Sequence, residues 1–255
     1  MEQNQTMCPD QNFDDIANKF ELNIYGSSKG RLRHELFMFH LQKTLDLHGK
    51  PLTVLDAGGG TGVMSHAMLA LGHEVTLTDI SADTLRLARD KFTASDKLSI
   101  VQQDILSLPE QQYDLVICHA VLEWLQHPLP VIDKLVALVK PGGYLSLSFF
   151  NQDAQRFSNM YYGNFDYVEQ GMKVKNQVRL SPNNAQKPLE IIEYFTTLPV
   201  QIAHKTGIRC FHDYLKDKNQ QQSHYEQIKR LEMCYGDQHP YLWLGKYFML
   251  IAQKR

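Results

Sequence analysis

The chain has 255 residues, of which 43% are hydrophobic and 21% are charged, and its formal net charge at pH 7 is -2. A chain of this length can bury a full core, so it fits one α/β domain. The near-neutral net charge excludes a globally basic nucleic-acid-binding protein, although a local basic face remains possible.

The first residues and the cysteines bear on location and on metal binding. The opening segment, MEQNQTMCPDQNFDD, is polar and acidic unlike a signal peptide, and no apolar run is long enough to span a bilayer. Cys8, Cys118, Cys210 and Cys234 form no CxxC pair and therefore predict no zinc site. We expect a cytoplasmic protein with free thiols, no membrane association and no bound metal.

The N-terminal part of the chain predicts two helices. Apolar residues recur at helical spacing between Phe13 and about Leu47, with the breaker-rich segment NIYGSSKG between the two runs. We interpret residues 1–50 as a helical cap and residues 51–255 as one Rossmann-like domain.

From Leu52 onward, strand and helix patterns alternate. The predicted strands are LTVLDAG, HEVTLTDI, KLSIVQQD, YDLVICH and GYLSLSFFN. The predicted helices are MSHAMLALG, SADTLRLARDKF with Ser81 as its N-cap, and PLPVIDKLVALVKPGG with a Pro-Gly-Gly stop. Such alternation predicts a mostly parallel sheet with helices on both faces.

The last third of the chain changes character. Residues from about 152 to 188 are polar, aromatic and basic without a clear period, which predicts an irregular insertion on the substrate side. Beyond it, PLEIIEYFTTL and SHYEQIKRLEMCYG predict helices, and VQIAHKTGIRCFHDYL and YLWLGKYFMLIAQK predict strands. The pattern leaves open the direction of the last strand, and whether its Trp243 and Phe248 serve the core or an interface between copies.

The segment VLDAGGGTG, from Val54 to Gly62, is a glycine-rich turn at the end of the first predicted strand. Ligands of such sheets bind beyond the carboxyl ends of the strands. Asp79 ends the second strand, where a carboxylate can accept both hydrogens of a ribose diol. The two features together predict an adenosine-type ligand.

Two observations argue against a dinucleotide as that ligand. The turn lacks the Lys-Ser/Thr ending of a P-loop. Asp56 lies two residues before the first glycine, where it would repel a pyrophosphate but would suit a sulfonium with an amino group, such as S-adenosylmethionine. Asp56 could also bond to backbone amides of the turn, and the two roles can coexist.

VLDAGGGTG resembles the first motif of class I S-adenosylmethionine-dependent methyltransferases, and QQD, YDLVICHAVLEW and LVKPGGYLSLSFFN follow in the order of that superfamily. The resemblance implies an α/β, Rossmann-like fold with a mostly parallel seven-stranded sheet and an antiparallel last strand. It also implies cofactor contacts. Gly58 and Gly59 approach the methionine part, Asp79 holds the ribose, Gln103 and Asp104 of the Gln102–Asp104 motif flank the adenine, His119 faces the cofactor, and Arg33 pairs with its carboxylate.

Further blocks spread over nearly the whole chain are similar to a narrower family. NFDDIANKFELNIYGSSKGRLR, CHAVLEW, GNFDYVEQGM, LSP and KTGIRCFHDYL resemble the bacterial tRNA 5-carboxymethoxyuridine methyltransferase family. The resemblance implies methylation of the carboxylate of 5-carboxymethoxyuridine at the tRNA wobble position, giving a methyl ester, with the anticodon loop as the partner.

A carboxylate nucleophile has a reference pKa of about 4 and is ionised at neutral pH, so it needs positioning groups rather than a general base. Tyr25, Asn151 and Arg209 are the catalytic candidates. His119, which could be a base in another enzyme, is interpreted as a packing or cofactor-contact residue. For Arg33 the alternative is a surface helix arginine.

Basic and aromatic residues near the two predicted substrate segments are candidates for tRNA phosphates and unstacked bases. They are Lys29, Lys173, Lys175, Arg179, Lys205, His212 and Tyr214. The alternatives are a solvated strand edge and a solvated insertion over the pocket. Competing functions are methylation of a small-molecule carboxylate or phenol, a non-catalytic tRNA-binding module, and a dehydrogenase.

Overall fold

The computed structural model describes residue 14 and residues 27–93, 95–172, 182 and 184–255. Several predictions lie outside these residues, namely the first predicted helix and the roles of Tyr25, Lys173, Lys175 and Arg179. Within the described part, no helix is both long enough and apolar enough to cross a bilayer.

The chain forms one seven-stranded sheet with the order β3-β2-β1-β4-β5-β7-β6. The strands are β1 (Thr53–Ala57), β2 (Glu74–Asp79), β3 (Leu98–Gln102), β4 (Tyr113–His119), β5 (Val139–Phe150), β6 (Val200–Ile208) and β7 (Tyr247–Lys254). The β7 strand is antiparallel to β5 and to β6, and the other pairs are parallel. The predicted mostly parallel sheet with an antiparallel last strand is confirmed.

The helices follow the predicted pattern between the strands. They are α1 (Ser28–Thr44), α2 (Val63–Ala70), α3 (Ala82–Lys91), α4 (Pro128–Ala137), α5 (Gln152–Tyr161), α6 (Phe165–Glu169), α7 (Pro188–Thr196), α8 (Gln220–Ser223) and α9 (Tyr225–Tyr235). Short 3-10 turns span Ile105–Ser107, Leu122–Trp124, His212–Tyr214 and Tyr241–Leu244. Ser81 caps α3 as predicted, because its side chain accepts a hydrogen bond from the Thr84 amide.

Two sequence-based boundaries were wrong. The segment after β5 is not irregular at its start, because Asn151 accepts hydrogen bonds from the Asp153 and Ala154 amides and begins α5. The Pro-Gly-Gly motif does not end α4 either. That helix ends at Ala137, and the motif lies inside β5 beside an irregularity in its pairing with β4.

Both faces of the sheet are covered by helices. On one face, Ile132 of α4 and Phe195 of α7 pack with strand residues that include Phe248. On the other face, Leu36 and Leu41 of α1 join a cluster that also contains residues of α2 and α9. Phe248 thus belongs to the core, and α1 is anchored on the sheet. The division into a cap of residues 1–50 and a domain of residues 51–255 stays a prediction.

Candidate functional site

A cavity of about 270 Å³ lies at the carboxyl edge of the parallel strands, beneath the first turns of α1. Eight of the nine predicted cofactor residues line it, namely Arg33, Asp56, Gly58, Gly59, Asp79, Gln103, Asp104 and His119. Gln102 is not among the lining residues, and its exposed side-chain amide donates to the Ile80 carbonyl. The structure therefore brings together all the predicted cofactor residues except Gln102.

The glycine-rich turn is held against the end of β2. Gly58 has a φ of +65°, and a Cβ atom on Gly59 would lie 2.5 Å from both Asp56 Cγ and Leu77 Cδ1. The Gly60 amide donates to Asp79 Oδ2 over 2.9 Å. The Gly60 amide is therefore occupied by a carboxylate of the protein. In a phosphate-binding loop, such an amide donates to the phosphate instead.

Asp56 has a structural role in the turn. Its Oδ2 atom accepts hydrogen bonds from the Ser65 amide over 3.0 Å and from Ser65 Oγ over 2.6 Å, which ties the end of β1 to the start of α2. Burial raises the pKa of Asp56 to about 6. Asp56 also lines the cavity, so the structural role coexists with a position suited to a cationic ligand.

Asp79 is fixed at the rim of the cavity by two backbone amides. Its Oδ1 atom accepts from the Ser81 amide over 2.8 Å, and its Oδ2 atom accepts from Gly60. Burial raises the pKa of this carboxyl group, while the amide hydrogen bonds oppose the shift. The carboxylate is thus oriented before any ligand arrives, and each oxygen retains acceptor capacity for a hydroxyl group.

Arg33 of α1 and His119 at the end of β4 both line the cavity. Arg33 is only 6% exposed, so it is not a surface helix arginine, and its guanidinium lies 5.1 Å from the ring centroid of Tyr247. His119 Nε2 lies 2.8 Å from Ser146 Oγ. Burial lowers the pKa of His119 to about 3. Such a weak base is poorly matched to proton abstraction near pH 7. The low pKa agrees with the interpretation of His119 as a packing or cofactor-contact residue.

Glu123 is a cavity residue that the sequence reasoning missed. Its side chain is buried, and among the described residues no side chain forms a hydrogen bond with either carboxyl oxygen. Burial raises its pKa to about 7, and contacts with the Glu123 and Phe150 backbone and, less strongly, the charge of Arg33 oppose that shift. An available signal was the CHAVLEW block, which places an acid just after β4, but the 3-10 turn that buries it could not be inferred from periodicity.

Glu123→Gln is expected to change the pH dependence of stability. The pKa is raised in the folded state, so the folded protein binds the proton more tightly, and its stability falls as pH rises from about 4.5 to about 7. Over this window we expect the unfolding free energy of the wild type, relative to the variant, to drop by up to about 3 kcal/mol. Chemical denaturation at several pH values measures this difference, and a difference that is constant with pH would contradict the assignment.

A second group lies beyond Tyr247, where β6 ends and β7 begins. We name Arg209, Asp213 and Lys246 the Arg209 cluster. Arg209 Nη2 lies 2.8 Å from Asp213 Oδ2, and its guanidinium lies 5.5 Å from the ring centroid of Tyr247. The Arg209 charge holds the pKa of Asp213 well below its usual range, and burial lowers the pKa of Lys246. Tyr247 thus contacts both Arg209 and Arg33 and also lines the cavity, whereas Arg209 and Lys246 are not among the lining residues.

Asn151 does not face a substrate, contrary to the prediction. Its side chain is fully buried, and its amide nitrogen donates to the Trp243 and Gly245 carbonyls over 2.9 and 3.0 Å. Its Oδ1 atom caps α5. Asn151 stands at the predicted edge of the sheet, but the polar atoms of its side chain are used to join α5 to the turn before β7.

The predicted tRNA contacts are dispersed. His212 is buried with its Nδ1 atom 2.9 Å from Asp213 Oδ1, so it cannot reach a ligand at the surface. The Tyr214 hydroxyl donates to the Leu244 carbonyl over 2.8 Å. Lys205 is exposed on the edge strand β6, and Lys29 is exposed beside the Arg209 cluster, where its carbonyl accepts from Arg209 Nη1. Only Lys29 of these four is both exposed and adjacent to the cluster.

The fold and the cavity define the class of protein. The antiparallel β7 lies between β5 and β6, a glycine-rich turn follows β1, and an acid ends β2. This is the arrangement of class I S-adenosylmethionine-dependent methyltransferases. A family model described as a methyltransferase domain matches residues 55–145. The magnesium protoporphyrin IX methyltransferase of Synechocystis PCC 6803, solved with bound SAH, has a TM-score of 0.62 at 18% identity and covers 95% of this chain and 96% of its own.

Sequence similarity extends over nearly the whole chain. The tRNA 5-carboxymethoxyuridine methyltransferase of Escherichia coli K12 is 42% identical over 252 residues, covering 96% of this chain and 97% of its own. The ubiquinone biosynthesis O-methyltransferase of Vibrio atlanticus is 31% identical over 172 residues, covering 66% and 70%. The chain belongs to the tRNA 5-carboxymethoxyuridine methyltransferase family, and its cofactor is S-adenosylmethionine, as predicted.

Proposed function

We propose that the protein transfers a methyl group from S-adenosylmethionine to the carboxylate of 5-carboxymethoxyuridine at the tRNA wobble position, forming the methyl ester. The observation that carries this proposal is the Arg209 cluster, because its Arg209 guanidinium packs on Tyr247, a residue that lines the cofactor cavity. The similarity to the tRNA 5-carboxymethoxyuridine methyltransferase of Escherichia coli, which covers nearly the full length of both chains, supports the proposal.

The cavity residues fit the cofactor and suggest how each would hold it. Asp79 would bind the ribose diol, and Gln103 and Asp104 would flank the adenine. Asp56 would offer negative charge to the sulfonium and the amino group, and Arg33 would pair with the cofactor carboxylate. Gly58 and Gly59 line the cavity, and the methionine part would pass close to their backbone.

The chemistry requires alignment rather than proton transfer. S-adenosylmethionine, when bound, supplies an activated methyl group for an in-line displacement. The substrate carboxylate, with a pKa of about 4, is ionised at neutral pH and needs no base. The Arg209 and Lys246 charges would position it, and the Asp213 carboxylate paired with Arg209 would moderate their field so that the nucleophile keeps its reactivity.

An exposed aromatic surface continues from the Arg209 cluster onto α5 and α6. We name it the α5–α6 aromatic surface. Its members are Phe157, Tyr161, Tyr162 and Phe165, which are 45%, 44%, 46% and 60% exposed. Tyr162 connects it to the cluster because its hydroxyl donates to the Asp213 carbonyl over 2.7 Å, and Lys218 Nζ lies 5.0 Å from its ring centroid. Exposed rings beside ammonium groups suit the unstacked bases and phosphates of an anticodon loop.

The proposal is tested by methyl incorporation from labelled S-adenosylmethionine into tRNA purified from cells with and without the carboxymethoxy modification. We expect incorporation only into the modified tRNA, in a base-labile ester. Equal labelling of both tRNA pools would show a different acceptor. No labelling of tRNA, together with methylation of a small carboxylate or phenol, would favour the small-molecule alternative. Cofactor binding without any methyl transfer would favour a non-catalytic module.

Phe165→Ala is expected to weaken tRNA binding by roughly 5- to 150-fold if its ring stacks on a base, because such stacking contributes about 1–3 kcal/mol. The matched control is Leu231→Ala on α9, which removes a side chain that is 50% exposed from outside this surface. Filter binding or fluorescence anisotropy with modified tRNA measures the dissociation constant. Equal constants for Phe165→Ala and the control would rule out Phe165 as a contact.

A further inference from the structure

Three residues with metal-ligand side chains meet outside the cofactor cavity. His40 lies on α1, His204 lies on β6, and Asp237 follows α9. One candidate ligand atom from each lies within 4.8 Å of the other two. His40 is fully buried, whereas His204 and Asp237 are half-buried. The site is therefore open to solvent on one side and closed by the core on the other.

The hydrogen bonds favour one tautomer of His40. With the Thr206 hydroxyl donating to the Gly207 carbonyl, its oxygen accepts from His40 Nε2, which lies 3.2 Å away. This tautomer carries its hydrogen on Nε2 and has a lone pair on Nδ1. That lone pair points to His204 Nε2, at 2.9 Å. An imidazole that donates one N–H to a fixed acceptor and offers the other nitrogen is arranged as metal-binding histidines are.

Both imidazoles can offer a ligand nitrogen to an ion that also contacts Asp237. His204 would only have to move its hydrogen from Nε2 to Nδ1, with no change in net charge.

Asp237 supplies the anionic ligand and already holds a cation. Its Oδ2 atom forms an ion pair with Lys43 Nζ at 2.5 Å. Lys43 is about half exposed, so its ammonium can move into solvent when a divalent ion takes its place. The present pair thus shows that the position attracts positive charge, and it identifies Lys43 as a competitor.

We propose that His40, His204 and Asp237 form a binding site for Zn²⁺ that clamps α1 to β6. Two imidazoles and one carboxylate suit zinc, with water as the fourth ligand. Zinc–nitrogen bonds of about 2.0–2.1 Å in a tetrahedral site separate ligand nitrogens by about 3.3 Å. The two nitrogens now lie 2.9 Å apart, so the imidazoles would part by a few tenths of an ångström and turn both lone pairs toward the ion. This site departs from the expectation of no bound metal, which rested on the cysteines alone.

The test uses the full chain after chelator treatment and dialysis, with ZnSO₄ as the probe. We expect one zinc ion per chain by calorimetry. At zinc concentrations about 100-fold above the dissociation constant, the melting temperature should rise by about 5 °C or more. Co²⁺ in place of zinc should give the strong visible absorption of a four-coordinate site. Absence of saturable binding at micromolar free zinc would overturn the proposal.

Variants then locate the ion. His204→Gln keeps an amide donor for His40 Nδ1 but removes the imidazole, and Asp237→Asn removes the charge. Each should weaken zinc binding at least tenfold. His48→Ala, which removes an exposed histidine elsewhere, should leave the dissociation constant unchanged. Wild-type affinity in His204→Gln and Asp237→Asn would place the zinc at another site.

Lys43→Ala separates a metal site from a purely structural network. Removing the competing ammonium should tighten zinc binding several-fold, even if it slightly lowers the melting temperature of the metal-free protein. A network without a metal function predicts only the loss of stability. Zinc binding by Lys43→Ala that is no tighter than in the wild type would contradict the proposed role of Asp237.

Discussion

Asp79→Ala is expected to weaken S-adenosylmethionine binding by roughly 100-fold, because each hydrogen bond from a hydroxyl to a charged acceptor contributes about 1.5–3 kcal/mol. The carboxylate is held by the Ser81 and Gly60 amides at the rim of the cavity. It therefore pays little orientation entropy when the ribose diol arrives. Isothermal calorimetry with the purified chain measures the dissociation constant directly.

The effect must be distinguished from loosening of the glycine-rich turn, since Asp79 also anchors Gly60. Asp79→Asn retains one acceptor oxygen with less charge and should fall between the wild type and Asp79→Ala. Asp90→Ala removes an exposed carboxylate from α3 and should leave binding unchanged. If Asp79→Ala binds the cofactor within about threefold of the wild type while remaining folded, Asp79 does not hold the ribose.

The cofactor side of the site was predictable because it depends on local patterns. Glycines after a buried strand, an acid at the next strand end and the Ser81 cap each follow from short segments. The parallel order of the strands brings those ends to one edge without any further information. This is why Asp56, Gly59 and Asp79 were found from the sequence and line one cavity.

The substrate side depends on features that local patterns do not encode. Lys246 stands at the carboxyl edge only because β7 runs antiparallel between β5 and β6, a direction that the apolar pattern of the strand leaves open. Glu123 enters the cavity through a single 3-10 turn. Asn151 has the same edge position as a substrate residue, but its four hydrogen bonds are structural. Position at the edge was predictable, whereas side-chain direction was not.

The Arg209 cluster yields the second large prediction. We expect Arg209→Ala and Lys246→Met each to lower kcat/KM for carboxymethoxy-modified tRNA by roughly 100-fold, while the dissociation constant of S-adenosylmethionine changes less than about twofold. The reason is that neither Arg209 nor Lys246 lines the cofactor cavity. A collapse of cofactor affinity in Arg209→Ala would instead assign this segment to the cofactor.

Arg209→Ala alone leaves the Asp213 carboxylate without its ion-pair partner, which can destabilise the fold. The variant Arg209→Gln/Asp213→Asn removes both charges and keeps hydrogen-bonding groups, so its activity reports on the substrate rather than on folding. Arg86→Gln disrupts an exposed ion pair with Asp83 and serves as the matched control, with no expected change in kcat/KM.

A double-mutant cycle decides whether Arg209 and Lys246 act on the same group. If both charges hold one substrate carboxylate, the double variant should lose much less than the product of the two single losses. Neither single variant should change the affinity for tRNA that lacks the carboxymethoxy group, because the group they position is then missing. Additive losses, or equal losses on both tRNAs, would mean that the cluster contacts the phosphate backbone instead of the carboxylate.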